Sequence, residues 1–128
     1  RFVLFWAPGD SSNRRHPGDD DAAATLAANV TDLPVLAWPT AALRELIAGI
    51  AACHRMVLSD GGAMHIAAAL GKPLVAFFGK SDTARWRPWQ ASAQILQPDT
   101  FDARDITVAA AMDAYDRLSA QPIAASSR

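Results

Sequence analysis

Apolar residues along this chain come in short runs separated by amphipathic stretches. Residues 2–6, Phe-Val-Leu-Phe-Trp, are continuously apolar and stop at Pro8-Gly9, which predicts a buried strand. A polar, turn-rich loop follows over 10–18, with Ser11, Ser12, Asn13 and a second Pro-Gly pair. Asp19-Asp20-Asp21 then leads into an alanine-rich helix over 22–29, whose positive end suits acidic side chains. Residues 35–37 predict a second strand. Thr40 is placed to cap a helix in which Leu43, Leu46, Ile47 and Ile50 recur at helical spacing as one buried face. A third strand, 56–58, ends in Ser59-Asp60-Gly61-Gly62, and a helix over 63–70 with a small-residue face is stopped by Gly71 and Pro73. Residues 74–78 form the most apolar strand. A loop containing Trp86, Arg87, Pro88 and Trp89 separates it from a weak strand over 94–96. Thr107 caps a last helix with Val108, Met112, Tyr115 and Leu118 on one side, and 121–128 predict a disordered tail.

Strand and helix alternate without two-residue hairpin turns. That order predicts an α/β domain with a single parallel sheet and helices on both faces. Right-handed crossovers make it doubly wound and Rossmann-like. Ligands in such sheets sit beyond the carboxyl ends of the strands, which directs attention to loops 7–18, 38–40, 59–63 and 79–90.

Composition narrows the function class. The chain has 128 residues, 12 basic and 13 acidic side chains, and a formal net charge of -1. That is one domain's length, and the charge balance gives no electrostatic case for a nucleic-acid binder. A single cysteine, Cys53, excludes an intrachain disulfide framework and a multi-cysteine metal cage. Cys53, His54, His16 and His65 lack ligand spacing, so no metal is expected. No apolar run approaches the roughly 20 residues a membrane span needs. Arg1 leads straight into an apolar strand, which predicts a piece of a longer chain.

The sharpest local feature is Asp60-Gly61-Gly62-Ala63-Met64-His65, at the junction of a strand and a helix. Two glycines let a ligand approach the backbone, and the N–H groups of Gly62, Ala63 and Met64 are expected to point out of the helix start toward an anion. A diphosphate suits that geometry. Asp60 could accept hydrogen bonds from sugar hydroxyls and His65 could donate to a phosphate. The plainer alternative makes Asp60 an N-cap, the glycines a tight turn and His65 a packing residue. Arg14-Arg15-His16 could steer an anion or simply line a solvated loop, and Trp86 and Trp89 could stack on a ring or pack against the protein.

The longer run from Ser59 to Gly79 is more specific. Its Asp60-Gly61-Gly62, His65, alanine-rich helix, Gly71-Lys72-Pro73, apolar strand and Phe78-Gly79 closely resemble the signature of the bacterial heptosyltransferase family. Ser81-Asp82, Trp86-Arg87-Pro88-Trp89 and Asp105-Ile106-Thr107 extend the resemblance. It implies one half of a two-domain glycosyltransferase of the B-type fold. Residues 1–120 would form the C-terminal domain, which binds a nucleotide-sugar donor, ADP-heptose or another. By motif position, Asp60 would hold the donor sugar, while the backbone of Gly61, Gly62, Ala63 and Met64, with His65, would hold the diphosphate. Pro39, Thr40 and Ala41 would border the nucleoside, and one acid among Asp10, Asp19 and Asp20 would meet the ribose. The resemblance further implies a lipopolysaccharide core or other glycan acceptor and a general base, both in a separate N-terminal half. This chain alone would then be inactive. No cofactor is implied. The location would be cytoplasmic, at most peripheral at the inner face of the inner membrane. A different class, a phospho-receiver module with Asp60 as acceptor, fits the length, but its acidic pair should directly follow the first strand and here lies some dozen residues later.

Overall fold

The computed structural model describes residues 1–15 and 17–120; His16 and the expected tail, 121–128, lie outside the described residues. Strands and helices alternate as β1 (Phe2–Trp6), α1 (Asp20–Asn29), β2 (Val35–Pro39), α2 (Leu43–Ala52), β3 (Met56–Ser59), α3 (Gly62–Ala69), β4 (Leu74–Phe77), α4 (Thr83–Trp86), β5 (Ala93–Leu96) and α5 (Val108–Ser119). A 3-10 turn, Ala103–Asp105, precedes the last helix. Every ladder is parallel, as the alternation predicts. The expected single sheet is instead two among the described residues, β1–β2 and β3–β4–β5. The apolar runs mark strands, but the burial expected of residues 2–6 is not found: Phe2 is 58% exposed, the rest of β1 is only half-buried, and among the strands β4 alone has fully buried residues. Nor do such runs carry information about which strand pairs with which. The chain divides into two compact units, Arg1–Ile47 and Ala48–Arg128.

In the first unit β1 and β2 pair from Phe2↔Val35 to Trp6↔Pro39. The loop after β1 is pinned at its base. Asp20 accepts from Trp6 Nε1 at 2.7 Å with one oxygen and from Gly9 N at 2.9 Å with the other. This draws the first turn of α1 back to Asp20, two residues before the predicted start. A Cβ on Gly18 would lie 2.3 Å from the Gly9 carbonyl, so the two Pro-Gly pairs meet where only glycine fits. Thr40 does not cap α2. Its N–H and its hydroxyl both donate to Trp6 O, at 3.0 and 3.1 Å, because β2 runs on to Pro39. Glu45 does the capping, accepting from Ala41 N at 3.0 Å and Ala42 N at 3.1 Å, in the manner of the acid in a capping box.

In the second unit β4 is central. Leu74, Val75 and Ala76 are buried, and α3 and α5 both contact this strand. Val75 packs with Ala114 and Leu118 of α5, flanked by Phe77, Leu96 and Tyr115. Leu74 and Ala76 alternate to the opposite face of the pleat. Met64 and Ala67 give α3 its fully buried stripe. The C-terminus of α3 closes as expected: Gly71 has φ +65°, Lys72 N donates to Ala67 O and Gly71 N to Ala68 O, both at 2.9 Å, a Schellman arrangement. Thr107 caps α5, accepting from Ala110 N at 3.1 Å. No helix among the described residues is long and apolar enough to cross a membrane.

Two helix faces differ from the sequence expectation. On α5, Val108 is 80% and Met112 54% exposed, while Ala114 and Leu118 are buried. On α2, Leu43 is 65% exposed and the burial falls on Gly49 and Ile50. Ile50 and Leu118 are buried as expected, and the small residues Gly49 and Ala114 share the buried stripes in place of Leu43, Val108 and Met112, because close packing depends on shape as well as hydrophobicity. Leu118→Ala is expected to lower unfolding stability by about 2–5 kcal/mol, and Met112→Ala by no more than about 0.5 kcal/mol. Urea denaturation compares them; equal losses would place Met112 in the core.

Before α5, Arg104 grips the Asp102 carboxylate through Nη2 at 2.6 Å and Nε at 3.0 and 3.1 Å, and Arg104 N adds a bond at 3.0 Å. The side-chain hydrogen bond from Arg104 holds this carboxyl below its ordinary 3.8, at about 2. Because the folded value lies below the unfolded one, the contact contributes above the ordinary carboxylate range and is lost as pH falls toward about 2. NMR titration should find the Asp102 midpoint near 2, rising toward 3.8 in Arg104→Ala. An unmoved midpoint would contradict this assignment.

Candidate functional site

The β3–β4 register runs from Met56↔Leu74 to Ser59↔Phe77, and one further bond, Asp60 N to Phe77 O at 2.8 Å, carries the ladder past β3. The chain then turns into α3 at Gly62. Gly61 accomplishes the turn with φ +154° and ψ -174°, a backbone region nearly closed to any residue with a Cβ. Gly61 is therefore the N-cap, and no side chain caps the helix. That removes the N-cap reading of Asp60. Its carboxylate, half-buried at the end of β3, makes no hydrogen bond or ion pair with the described residues.

The helix start differs by one residue from the sequence expectation. Met64 N donates to Gly61 O at 3.1 Å, and the Met64 side chain is fully buried. Met64 is thus a core residue with a committed N–H. The N–H groups of Gly62 and Ala63 have no acceptor among the described residues. They are orphan donors in the first turn of an eight-residue helix, at its positive end and at the carboxyl edge of a parallel sheet. A Cβ built on Gly62 meets nothing within 4 Å, and Gly62 has ordinary helical backbone. Nothing in the fold demands glycine there, and the missing side chain leaves the backbone open to approach.

His65 follows on the exposed side of the same first turn. Its ring meets Trp86 edge-on, with centroids 6.4 Å apart. Sequence left Trp86 between stacking on a ligand and packing on the protein; its neighbour is the candidate histidine itself. Arg85 covers Trp86, its guanidinium carbon 5.2 Å from the ring centroid. Asp82 N-caps α4, accepting from Ala84 N at 2.8 Å. Gln97, not singled out in the sequence, ties this loop to β5 by donating to Gly79 O at 2.7 Å and Ser81 O at 2.9 Å. Its only sequence signal is a polar residue directly after a strand.

The nucleoside-side candidates lie in the first unit. Pro39 ends β2, Thr40 is bound to Trp6 O, and the Ala41 N–H is held by Glu45. Of the three acids considered for the ribose, Asp20 has both oxygens engaged by Trp6 and Gly9. Asp10 accepts from Ser12 N at 2.7 Å, which holds its carboxyl below the usual range. Asp19 makes no side-chain cap bond and is the least committed of the three.

Comparison with known proteins shows the family and the fold. Residues 1–115 match the profile of glycosyltransferase family 9 (heptosyltransferase). Lipopolysaccharide heptosyltransferase 2 of Salmonella typhimurium and of Escherichia coli are each 40% identical over 55 residues, 43% of this chain and 16% of the relative. Among solved structures, a family 9 glycosyl transferase from Veillonella parvula shares the fold at TM-score 0.74 and 20% identity, covering 91% of this chain and 36% of that one. The E. coli ADP-heptose lps heptosyltransferase II superposes at TM-score 0.65 and 25% identity, over 91% of this chain and 35% of that one. The chain therefore spans about a third of the length of these solved relatives. None of these matches supports a phospho-receiver. With a parallel α/β architecture, the Asp60–His65 turn at a strand's carboxyl end, and a family profile over residues 1–115, the chain belongs to glycosyltransferase family 9, the heptosyltransferase family.

Proposed function

We propose that this chain is the donor-binding part of a family 9 glycosyltransferase and that the 60–65 turn receives the diphosphate and sugar of a nucleotide-sugar donor. The observation that carries the reading is the pair of unpartnered N–H groups, Gly62 and Ala63, at the start of α3 beside an open backbone surface. Asp60, with a free carboxylate, accepts from sugar hydroxyls, and His65 donates to the diphosphate. Pro39, Thr40 and Ala41 border the nucleoside. The name of the E. coli relative supports ADP-heptose as donor, with another nucleotide sugar as the alternative.

The chemistry is displacement of the nucleoside diphosphate by an acceptor hydroxyl. As the bond to the sugar breaks, charge gathers on the leaving diphosphate, and fixed N–H dipoles at a helix start stabilise it without reorganising. The acceptor, a lipopolysaccharide core or another glycan, and the base that takes its proton belong to a separate half of the enzyme. The chain by itself transfers no sugar. The reaction takes place in the cytoplasm and needs no cofactor.

NMR titration tests this reading. ADP or ADP-heptose should shift the amides of residues 60–65, and shifts confined elsewhere would overturn it. Asp60→Ala should weaken ADP-heptose about ten- to a hundredfold and ADP much less, because the lost partner is the sugar. Equal losses for the two ligands would remove Asp60 from the sugar.

The two glycines should separate in a stability experiment. Gly61→Ala is expected to cost about 1–3 kcal/mol through its positive φ, whereas Gly62→Ala is neutral or stabilising by up to about 1 kcal/mol. Gly62→Val should fold and lose affinity for ADP. A Gly62→Val protein that binds ADP normally would contradict close backbone approach.

A further inference from the structure

We propose that Trp86 is a positioning residue of the donor site: its indole holds the His65 imidazole in the orientation that meets the donor's diphosphate. The inference rests on the reading of His65 as a donor to that diphosphate, and it adds a residue that acts through His65.

His65 has the freedom that gives such a partner its use. It stands on the exposed side of the first turn of α3, and its side chain forms no hydrogen bond or ion pair among the described residues. A helical backbone disfavours one of the three χ1 wells and leaves the other two open. An imidazole free to turn would give up that freedom each time a phosphate bound, which weakens binding. The ring contact that His65 does make is with Trp86. Their centroids are 6.4 Å apart and their planes are inclined by 60°, within the range in which edge-to-face aromatic pairs attract.

Trp86 is itself held. It closes α4, where its N–H donates to Asp82 O at 2.9 Å, and Asp82 caps the same helix by accepting from Ala84 N at 2.8 Å. Gln97 fastens the segment ahead of α4 to the end of β5 through Gly79 O and Ser81 O. Arg85 lies over the indole, its guanidinium carbon 5.2 Å from the ring centroid. Restraint therefore runs from β5 through Gln97 and α4 to the indole, and from the indole to the imidazole, all within the second compact unit. A tryptophan that served only the core would bury its ring as Phe78 does, and Trp86 is 47% exposed.

NMR of the 128-residue chain tests the inference. Without ligand, the His65 ring protons should carry a ring-current shift that Trp86→Leu removes and Trp86→Phe largely keeps. With ADP, Trp86→Leu should weaken binding about three- to tenfold and Trp86→Phe by no more than about twofold. His65→Ala should weaken it about tenfold or more, and adding Trp86→Leu to His65→Ala should cost nothing further. Trp89→Ser, at an exposed ring later in the same loop, should bind ADP as the parent chain does. Unchanged amide positions in β4 and α5 verify that each variant is folded. If ADP leaves residues 60–65 of the parent chain unmoved, or binds His65→Ala equally well, the reading of His65 as a diphosphate donor fails and takes this inference with it. If ADP binds there through His65, three results overturn the positioning role alone: Trp86→Leu binding as tightly as the parent, its loss adding in full to that of His65→Ala, or Trp89→Ser losing as much.

Discussion

The turn from β3 into α3 governs the arrangement of this site. Parallel pairing with β4 runs one residue beyond β3, to Asp60, and the helix begins two residues later. Only an unusual backbone bridges so short a gap, and Gly61 supplies it at φ +154°. The consequences follow from geometry. Asp60 is fixed at the carboxyl edge by its own N–H, Gly62 and Ala63 have no preceding turn to accept their N–H groups, and His65 comes round on the exposed side. Burial of Met64 and Ala67 holds α3 in place, so these groups are presented by a packed helix.

Much of this fold was legible in the sequence, for identifiable reasons. Short apolar runs rich in β-branched and aromatic residues marked the strands, although only β4 has fully buried positions. Thr107 and Gly71 were legible because each does a local job that few residues do, one accepting from Ala110 N and the other adopting φ +65° before Pro73. Strand pairing was not legible, and two sheets stand where one was expected. The buried faces of α2 and α5 were legible at Ile50 and Leu118 and missed at Gly49 and Ala114, because alanine and glycine give a weak hydrophobic signal yet allow close packing. Thr40 looked like a cap, but the continuation of β2 took its hydroxyl to Trp6, and Glu45 closed the helix from within.

At the candidate site the sequence marked the strand-to-helix turn over 60–65 but not how its backbone groups divide, nor that Met64 belongs to the core. A glycine pair before a helix announces open N–H groups. Whether the first helical bond starts at residue 64 or 65 depends on the dihedral angles of Gly61, which have no sequence signature. Of the three acids near the first strand, the sequence ranked none, because nothing in it showed that Trp6 would take Asp20 as its partner. The contact between His65 and Trp86 was hidden for a similar reason, since it joins two separate helices, α3 after β3 and α4 after β4.

The central claim is that the donor diphosphate is bound by the N–H groups of Gly62 and Ala63. The most direct measurement is of scalar coupling between backbone nitrogen and phosphorus across N–H···O–P hydrogen bonds, in labelled protein saturated with ADP. The account predicts couplings from Gly62 and Ala63 and none from Met64, whose N–H stays on Gly61 O. Couplings from amides elsewhere, with none from Gly62 or Ala63, would contradict it.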